Sequence, residues 1–200
     1  MNNTEAAPSP DNIKMAKFIA NAIGLEPHVY PYYDDGKLNK ISILNILDPI
    51  DKNVIIYSTI GLSDYPNSVE IKGGGTKNIP VEIMIASYKK SEKVANILST
   101  SAFFIMKDKY ECRPGTVFMR MVEFYYPDSS MKHLYFTSPF LWQEKLEQLV
   151  LDTKKVHFLF CIPISDNELK YKMDNGDEKL EELLQNNDID FYDINRESVV

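Results

Sequence analysis

Five sets of residues in this chain have side chains that could do chemistry. Gly73-Gly74-Gly75-Thr76-Lys77 sets a glycine run beside a lysine, the ingredients of a loop that cradles phosphate. The spacing is not that of GxxxxGK followed by Ser or Thr, and the next residues read as a strand, so no helix N-terminus is offered to an anion. A flexible hairpin tip is the expectation. His28, His133 and His157 could hold a metal or move protons, but they lie far apart in sequence and none sits in an HExxH arrangement. Each reads as an ordinary core or surface imidazole. Asp34-Asp35-Gly36 pairs two carboxylates, the groups general acid–base catalysis uses, yet Asp-Gly between extended segments first signals a tight turn. No GxSxG surrounds Ser58, Ser63 or Ser99, so a nucleophile elbow is absent. Cys112 and Cys161 have no partner at CxxC spacing and no nearby histidine pair, so they read as plain thiols, without zinc and without a disulfide framework. No catalytic residue, metal site or cofactor is assigned, and the chain is read as a protein that is not an enzyme.

The elements that must position these residues are those of a single domain. The chain has 200 residues, of which 44% are hydrophobic and 12% aromatic, enough to bury one core and offset the entropy of ordering the backbone. Residues 1–9 are expected to be a flexible tail and 10–200 one folded unit. No apolar run approaches the ~20 residues that span a bilayer, and the N-terminal MNNTEAAPSPDN lacks a signal-peptide pattern, which places the protein in the cytosol and away from membranes.

Ser9-Pro10-Asp11 is a helix start, with Ile13, Ala16, Ile19, Ala20 and Ile23 at helical spacing and Gly24 as the stop. Residues 41–47 and 53–58 are β-branched runs separated by Asp48-Pro49 and read as neighbouring strands. Val69 to Lys72 and Pro80 to Ala86 alternate as strands of a sheet with one wet face, joined through the glycine run. Ser91 opens a second helix whose inner face is Val94, Ile97, Leu98, Ser101, Phe104 and Ile105. Further strands are expected at 116–124, 133–137 and 156–162, the last nearly all apolar and therefore central. Ser165-Asp166-Asn167-Glu168 is a capping box, and Leu180, Leu183 and Leu184 form the apolar stripe of the last helix. The fold class is α+β, a mixed or antiparallel sheet packed with helices.

The stretch His133-Leu134-Tyr135-Phe136-Thr137-Ser138-Pro139-Phe140-Leu141-Trp142 holds the only tryptophan. Ser138 and Pro139 suit a helix start, which would seat Trp142 one turn from Leu146 as a core anchor. This stretch and the later strand running into Pro163-Ile164-Ser165, with Glu168 three residues on, resemble the paired signature of the suppressor-of-fused domain. Tyr57-Ser58-Thr59-Ile60-Gly61-Leu62-Ser63 is similar to the family's earlier Tyr-Ser-x-Gly-Leu-Ser turn. The closing segment around Arg196 is similar to that of small bacterial members regarded as antitoxins or immunity proteins, the YqcF-like group. The resemblance covers roughly residues 25–200, and it implies a suppressor-of-fused-like single domain in which Tyr57, Ser58, Gly61, Leu62, Ser63, Pro139, Phe140, Trp142, Pro163, Ile164, Ser165, Glu168 and Arg196 are structural motif residues.

It also implies a cytosolic protein that neutralises a cognate polymorphic toxin, often a nuclease with an LXG-type delivery domain, by stoichiometric occlusion. Composition agrees in sign. Between Asp166 and Val200 lie eleven acids and four bases, a net charge of -7, while the other 165 residues balance at 18 of each. Such an end disfavours direct nucleic-acid binding and favours a basic protein partner through electrostatic steering. Glu178, Glu181, Glu182, Asp188 and Asp190 are the residues expected to face a basic nuclease domain. The alternative is a regulatory module that captures an extended peptide by strand addition.

Overall fold

The structure, a computed structural model, describes residues 7–71, 73–142 and 145–200. The expected tail over 1–9 falls mostly outside them. Ser9 caps α1 (Pro10–Ile23) by accepting a hydrogen bond from the Asn12 N–H at 3.1 Å, and Gly24 closes it in the left-handed conformation at φ 100°. The buried stripe is rotated from the expected one: Met15, Ile19, Ala22 and Ile23 face inward, while Ile13 is 43% exposed. Met15, 1% exposed, is long and unbranched and packs in the core on that side of the sheet.

The chain then builds ten strands: β1 (His28–Tyr33), β2 (Lys40–Leu47), β3 (Val54–Ile60), β4 (Ser68–Glu70), β5 (Thr76–Asn78), β6 (Val81–Tyr88), β7 (Val117–Phe118), β8 (Met131–Thr137), β9 (Gln148–Val150) and β10 (Lys155–Ser165). Three more helices are α2 (Glu92–Asp108), α3 (Asp166–Asn175) and α4 (Asp177–Asn186). The main sheet runs β1-β2-β3-β6-β10-β8-β7, with β9 also paired to β10; β6 and β10 are parallel and every other pair is antiparallel. The expected α+β class and the central place of the 156–162 strand are both present.

Period-two alternation splits the strands between two cores. Ile41, Ile43, Tyr57, Ile83 and Ile85 face α2, with its Val94, Ile97, Leu98 and Ile105. Leu44, Ile56, Met84, Phe158 and Phe160 face the other way, toward Met15 and Ile19 of α1 and Leu180 and Leu184 of α4. The sheet is thus covered on both sides.

Four local expectations change. The glycine run does not join residues 69–72 to 80–86; it closes a separate two-stranded hairpin of β4 and β5, and Lys72 lies outside the described residues. β6 has no wet face, because helices cover both sides and all residues from Val81 to Ser87 are buried. The strand expected over 116–124 shrinks to β7, and residues 119–125 form turns in which the Arg120 N–H donates to His133 Nδ1 at 3.0 Å. No helix starts at Ser138. Trp142 takes φ 56°, and its carbonyl accepts from the N–H groups of Lys145 and Leu146, an isolated turn that returns the chain to β9. An edge partner for β10 prevails over the local helix signal, and Trp142 is half-buried against the α1–α4 core.

Candidate partner-binding surface

The motif residues of the first turn surround a buried carboxylate that the sequence reading had placed on a wet face. Glu82, 0% exposed, accepts hydrogen bonds from the Thr59 hydroxyl at 2.6 Å and from the backbone N–H groups of Gly61, Leu62 and Ser63 at 3.0–3.2 Å. Gly61 sits at φ 95°, which its missing Cβ permits. Burial pushes the Glu82 carboxyl up, opposed first by the Thr59 hydroxyl. Tyr57 is buried below this turn and accepts from the Ser91 N–H at 2.8 Å, while Ser58 and Ser63 are buried beside it. An acid in an otherwise apolar strand was the available signal for Glu82, and alternation alone misread it.

The second motif pins the C-terminus. Ser165 and Glu168 complete the capping box of α3. Glu168 also accepts two hydrogen bonds from Arg196, at 2.7 and 2.9 Å, and a third from the Val199 N–H at 3.2 Å. Arg196 donates further to the Pro163 carbonyl at 2.9 Å. Pro163 pairs with Leu134 of β8, but its carbonyl points to the side β6 has left, so the missing N–H there breaks no ladder bond. Ile164 is fully buried in the core under α4. These residues hold the segment after α4 in the gap between β6 and β10, where the Tyr88 N–H donates to the Tyr192 carbonyl at 3.3 Å.

Phe140 of the third motif and two of the acidic residues meet at one groove. Phe140, 42% exposed, packs edge-on against Phe160 and Phe191 with ring centroids 5.2 and 4.9 Å away. With Ile162, Leu184 and Ile189, Phe140 and Phe191 floor a groove of about 460 Å³ rimmed by Glu181 and Asp188, and Phe160 braces the two rings from beneath. Glu181 is held in place by the hydroxyls of Tyr135 and Thr137, which donate to its Oε1 at 2.8 and 2.7 Å. Asp190 accepts from the Tyr88 hydroxyl at 2.9 Å, Glu182 pairs with Lys179 at 2.6 Å, and Glu178 and Asp188 are exposed. Burial and then Glu181 raise the Tyr135 phenol, and burial followed by Asp48 pushes Tyr192 up to about 12. Of the expected partner-facing acids, Glu181 and Asp188 border the groove directly. Pro139 and Trp142 flank it in sequence without lining it.

The remaining candidates read from sequence are scattered. Asp34 closes the β1–β2 turn, accepting from the Leu38 N–H and from the N–H and side chain of Asn39. The Asn39 amide, then its backbone and the Lys107 ammonium, hold this carboxyl well below the usual range. His133 lies buried between Arg120 and Asp166. Cys112 and Cys161 are buried free thiols that burial pushes up. Among the described residues no three His, Cys, Asp or Glu side chains gather as a metal site, and no helix is long and apolar enough to cross a membrane.

A buried scaffold of motif residues that fixes turns and a terminus, beside an exposed acidic groove with an apolar floor, is the anatomy of a protein-binding domain. The chain belongs to the suppressor-of-fused family: the family model described as Suppressor of fused protein (SUFU) matches residues 37–197. The immunity protein YqcF of Bacillus subtilis (strain 168) is 38% identical over 190 residues, covering 95% of this chain and 97% of that protein. A suppressor-of-fused homologue from Neisseria gonorrhoeae, 17% identical, superposes with a TM-score of 0.72 over 95% of this chain and 97% of the other. Drosophila Suppressor of Fused, 15% identical, gives 0.66 over all of this chain but only 54% of that one. The structural likenesses establish the shared fold.

Proposed function

We propose that this protein is a cytosolic immunity protein that binds a cognate protein toxin and occludes it stoichiometrically, without catalysis, through the acidic face of α4 and the segment after it. The identity to the immunity protein YqcF along nearly the full chain is the observation that carries this reading. The groove supplies the physical means. A nuclease presents a basic cleft shaped for phosphates, and a rim containing Glu181 and Asp188, with Asp190 nearby in sequence, is steered to it and then held by close charge pairs. Phe140 and Phe191 offer the aromatic anchors on which the energy of such interfaces concentrates.

The test is co-expression with the C-terminal domain of the neighbouring gene's product. Rescue of growth and a stable one-to-one complex are expected; continued killing with the immunity protein soluble and folded refutes the reading. The alternative is a regulatory module that captures an extended peptide by strand addition; a neighbour that shares the fold, 14% identical with a TM-score of 0.66, is solved as a Sufu–Fu complex. Recovery of a partner from cells that carry no toxin gene, with affinity insensitive to salt, would favour it.

A further inference from the structure

A second concave surface, which shares no lining residue with the acidic groove, carries the opposite charge. It opens at the amino ends of the parallel pair β6–β10, measures about 800 Å³, and is walled by β5, the Arg113–Pro114 turn, Ser138–Pro139 and the turn leading into β10. Among the described residues its charged lining is Lys77, Arg113, Lys154, Lys155 and His157 against a single acid, Glu147. Two of the cations are neutralised locally, Arg113 by Glu111 and Lys154 by Asp64. Lys77 and Lys155 have no ion pair among the described residues, and the His157 ring has no hydrogen-bond partner among them. Burial, then Lys155, then Lys77 hold the His157 imidazole below its usual range, which places both ammonium groups within electrostatic reach of it. In a protein of net charge -7, Lys77, Lys155 and His157 converge here on one unpaired acid of the lining, Glu147, so among the described residues cations exceed anions.

We propose that this cleft binds the phosphate group of a small ligand with an apolar body. Lysine ammoniums are point-charge phosphate binders, and an imidazole that gains a proton adds a donor. With His157 protonated, Lys77, Lys155 and His157 together balance Glu147 and one dianion, whereas a carboxylate leaves a charge over. Ile79, Pro80, Pro139 and Phe158 line the same space and suit a non-polar moiety next to the phosphate. The glycine run before β5 is a hairpin tip and not a phosphate loop, so in this site Lys77 acts as a side chain, with no backbone cradle. The assignment stands apart from toxin binding and survives if that reading fails.

The experiment follows the ring protons of His157 by NMR in the full chain, assigned by their loss in His157→Asn. Inorganic phosphate and phenyl phosphate are titrated at an ionic strength held constant with chloride. Both are expected to shift the His157 signals saturably and to raise its pKa, with phenyl phosphate binding more tightly. In Lys77→Ala/Lys155→Ala the affinity falls by at least about tenfold, as for loss of close charge pairs, with unchanged thermal unfolding. His157 signals that ignore phosphate, that move equally in chloride alone, or that titrate identically in the double variant overturn the site. Equal affinity for the two phosphates overturns the apolar part of the assignment.

Discussion

Replacing Arg196 by alanine tests whether the terminal segment is clamped as the structure implies. Glu168 is 0% exposed and Arg196 7%, so the pair is desolvated and its loss differs in kind from that of a surface ion pair, worth about 0–1 kcal/mol. After the substitution the Glu168 carboxylate keeps only the N–H groups of Ser165 and Val199 as donors, and the Pro163 carbonyl loses its partner. An uncompensated buried charge of this kind costs about 3–5 kcal/mol, equivalent to roughly 6–20 °C in Tm for a domain of this size. Urea unfolding followed by the fluorescence of Trp142, half-buried against the α1–α4 core, measures it. Because the pair is mutual, Glu168→Ala/Arg196→Ala should cost clearly less than the sum of the two single changes. A loss below about 1 kcal/mol in Arg196→Ala, or strict additivity in the double variant, would show that the clamp contributes nothing specific.

Other outcomes follow from the same contacts. Glu82→Ala strands the N–H groups of Gly61, Leu62 and Ser63 in the interior, and about 3 kcal/mol or more is expected in urea unfolding; a change under about 1 kcal/mol would mean that water replaces the carboxylate freely. The folded Asp34 carboxyl is depressed, so its contribution is present above the unfolded value of about 3.9 and lost as pH falls through the folded one. The stability gap between the native chain and Asp34→Asn should therefore close on acidification, and a gap constant with pH contradicts the turn geometry. Glu178→Lys/Glu182→Lys, at positions with no hydrogen bond to the sheet, should slow toxin association and weaken its salt dependence while leaving the fold intact, the loss of the Lys179 pair and of an acid in the first turn of α4 lowering Tm only slightly; an association rate indifferent to salt removes the steering argument. Glu181→Lys should lower Tm as well, because it unpairs the Tyr135 and Thr137 hydroxyls.

Local signals were legible wherever one residue decides the outcome. Ser9, Gly24 and the Ser165–Glu168 box marked helix ends that hold in the structure, since capping depends on neighbours three or four residues away. The run 156–162 declared itself central because a strand buried on both faces has no polar alternation to display. Failures came where a distant partner decides. Residues 138–146 carry a sound helix start, yet β10 needs a strand beside it, and no pattern within the segment announces that need. Glu82 sits in an alternating run that fits a half-wet sheet, and only the arrival of Gly61 to Ser63 makes its burial tolerable. The acidic character of the last 35 residues was plain in composition. The apolar floor that makes a groove of it was not, because Phe140, Ile162 and Phe191 come from three separate segments.

The way the sheet divides bears on how a partner can be held. β6 and β10 pair only over Val81–Met84 and His157–Phe160, and beyond that each keeps a neighbour on one side alone. Strand addition would find its natural slot in that gap, but Tyr192, Arg196 and their neighbours already occupy it. β1, at one end of the sheet, is interrupted by Pro31, and β7, at the other, is two residues long. Backbone pairing thus has little exposed ladder to extend. Side-chain recognition has more to work with: Glu181, its carboxylate fixed by two buried hydroxyls, and rings braced edge to face. A carboxylate already held in position loses little entropy when a lysine or arginine docks on it, so such a rim converts more of its charge complementarity into affinity than a mobile acidic tail of equal charge.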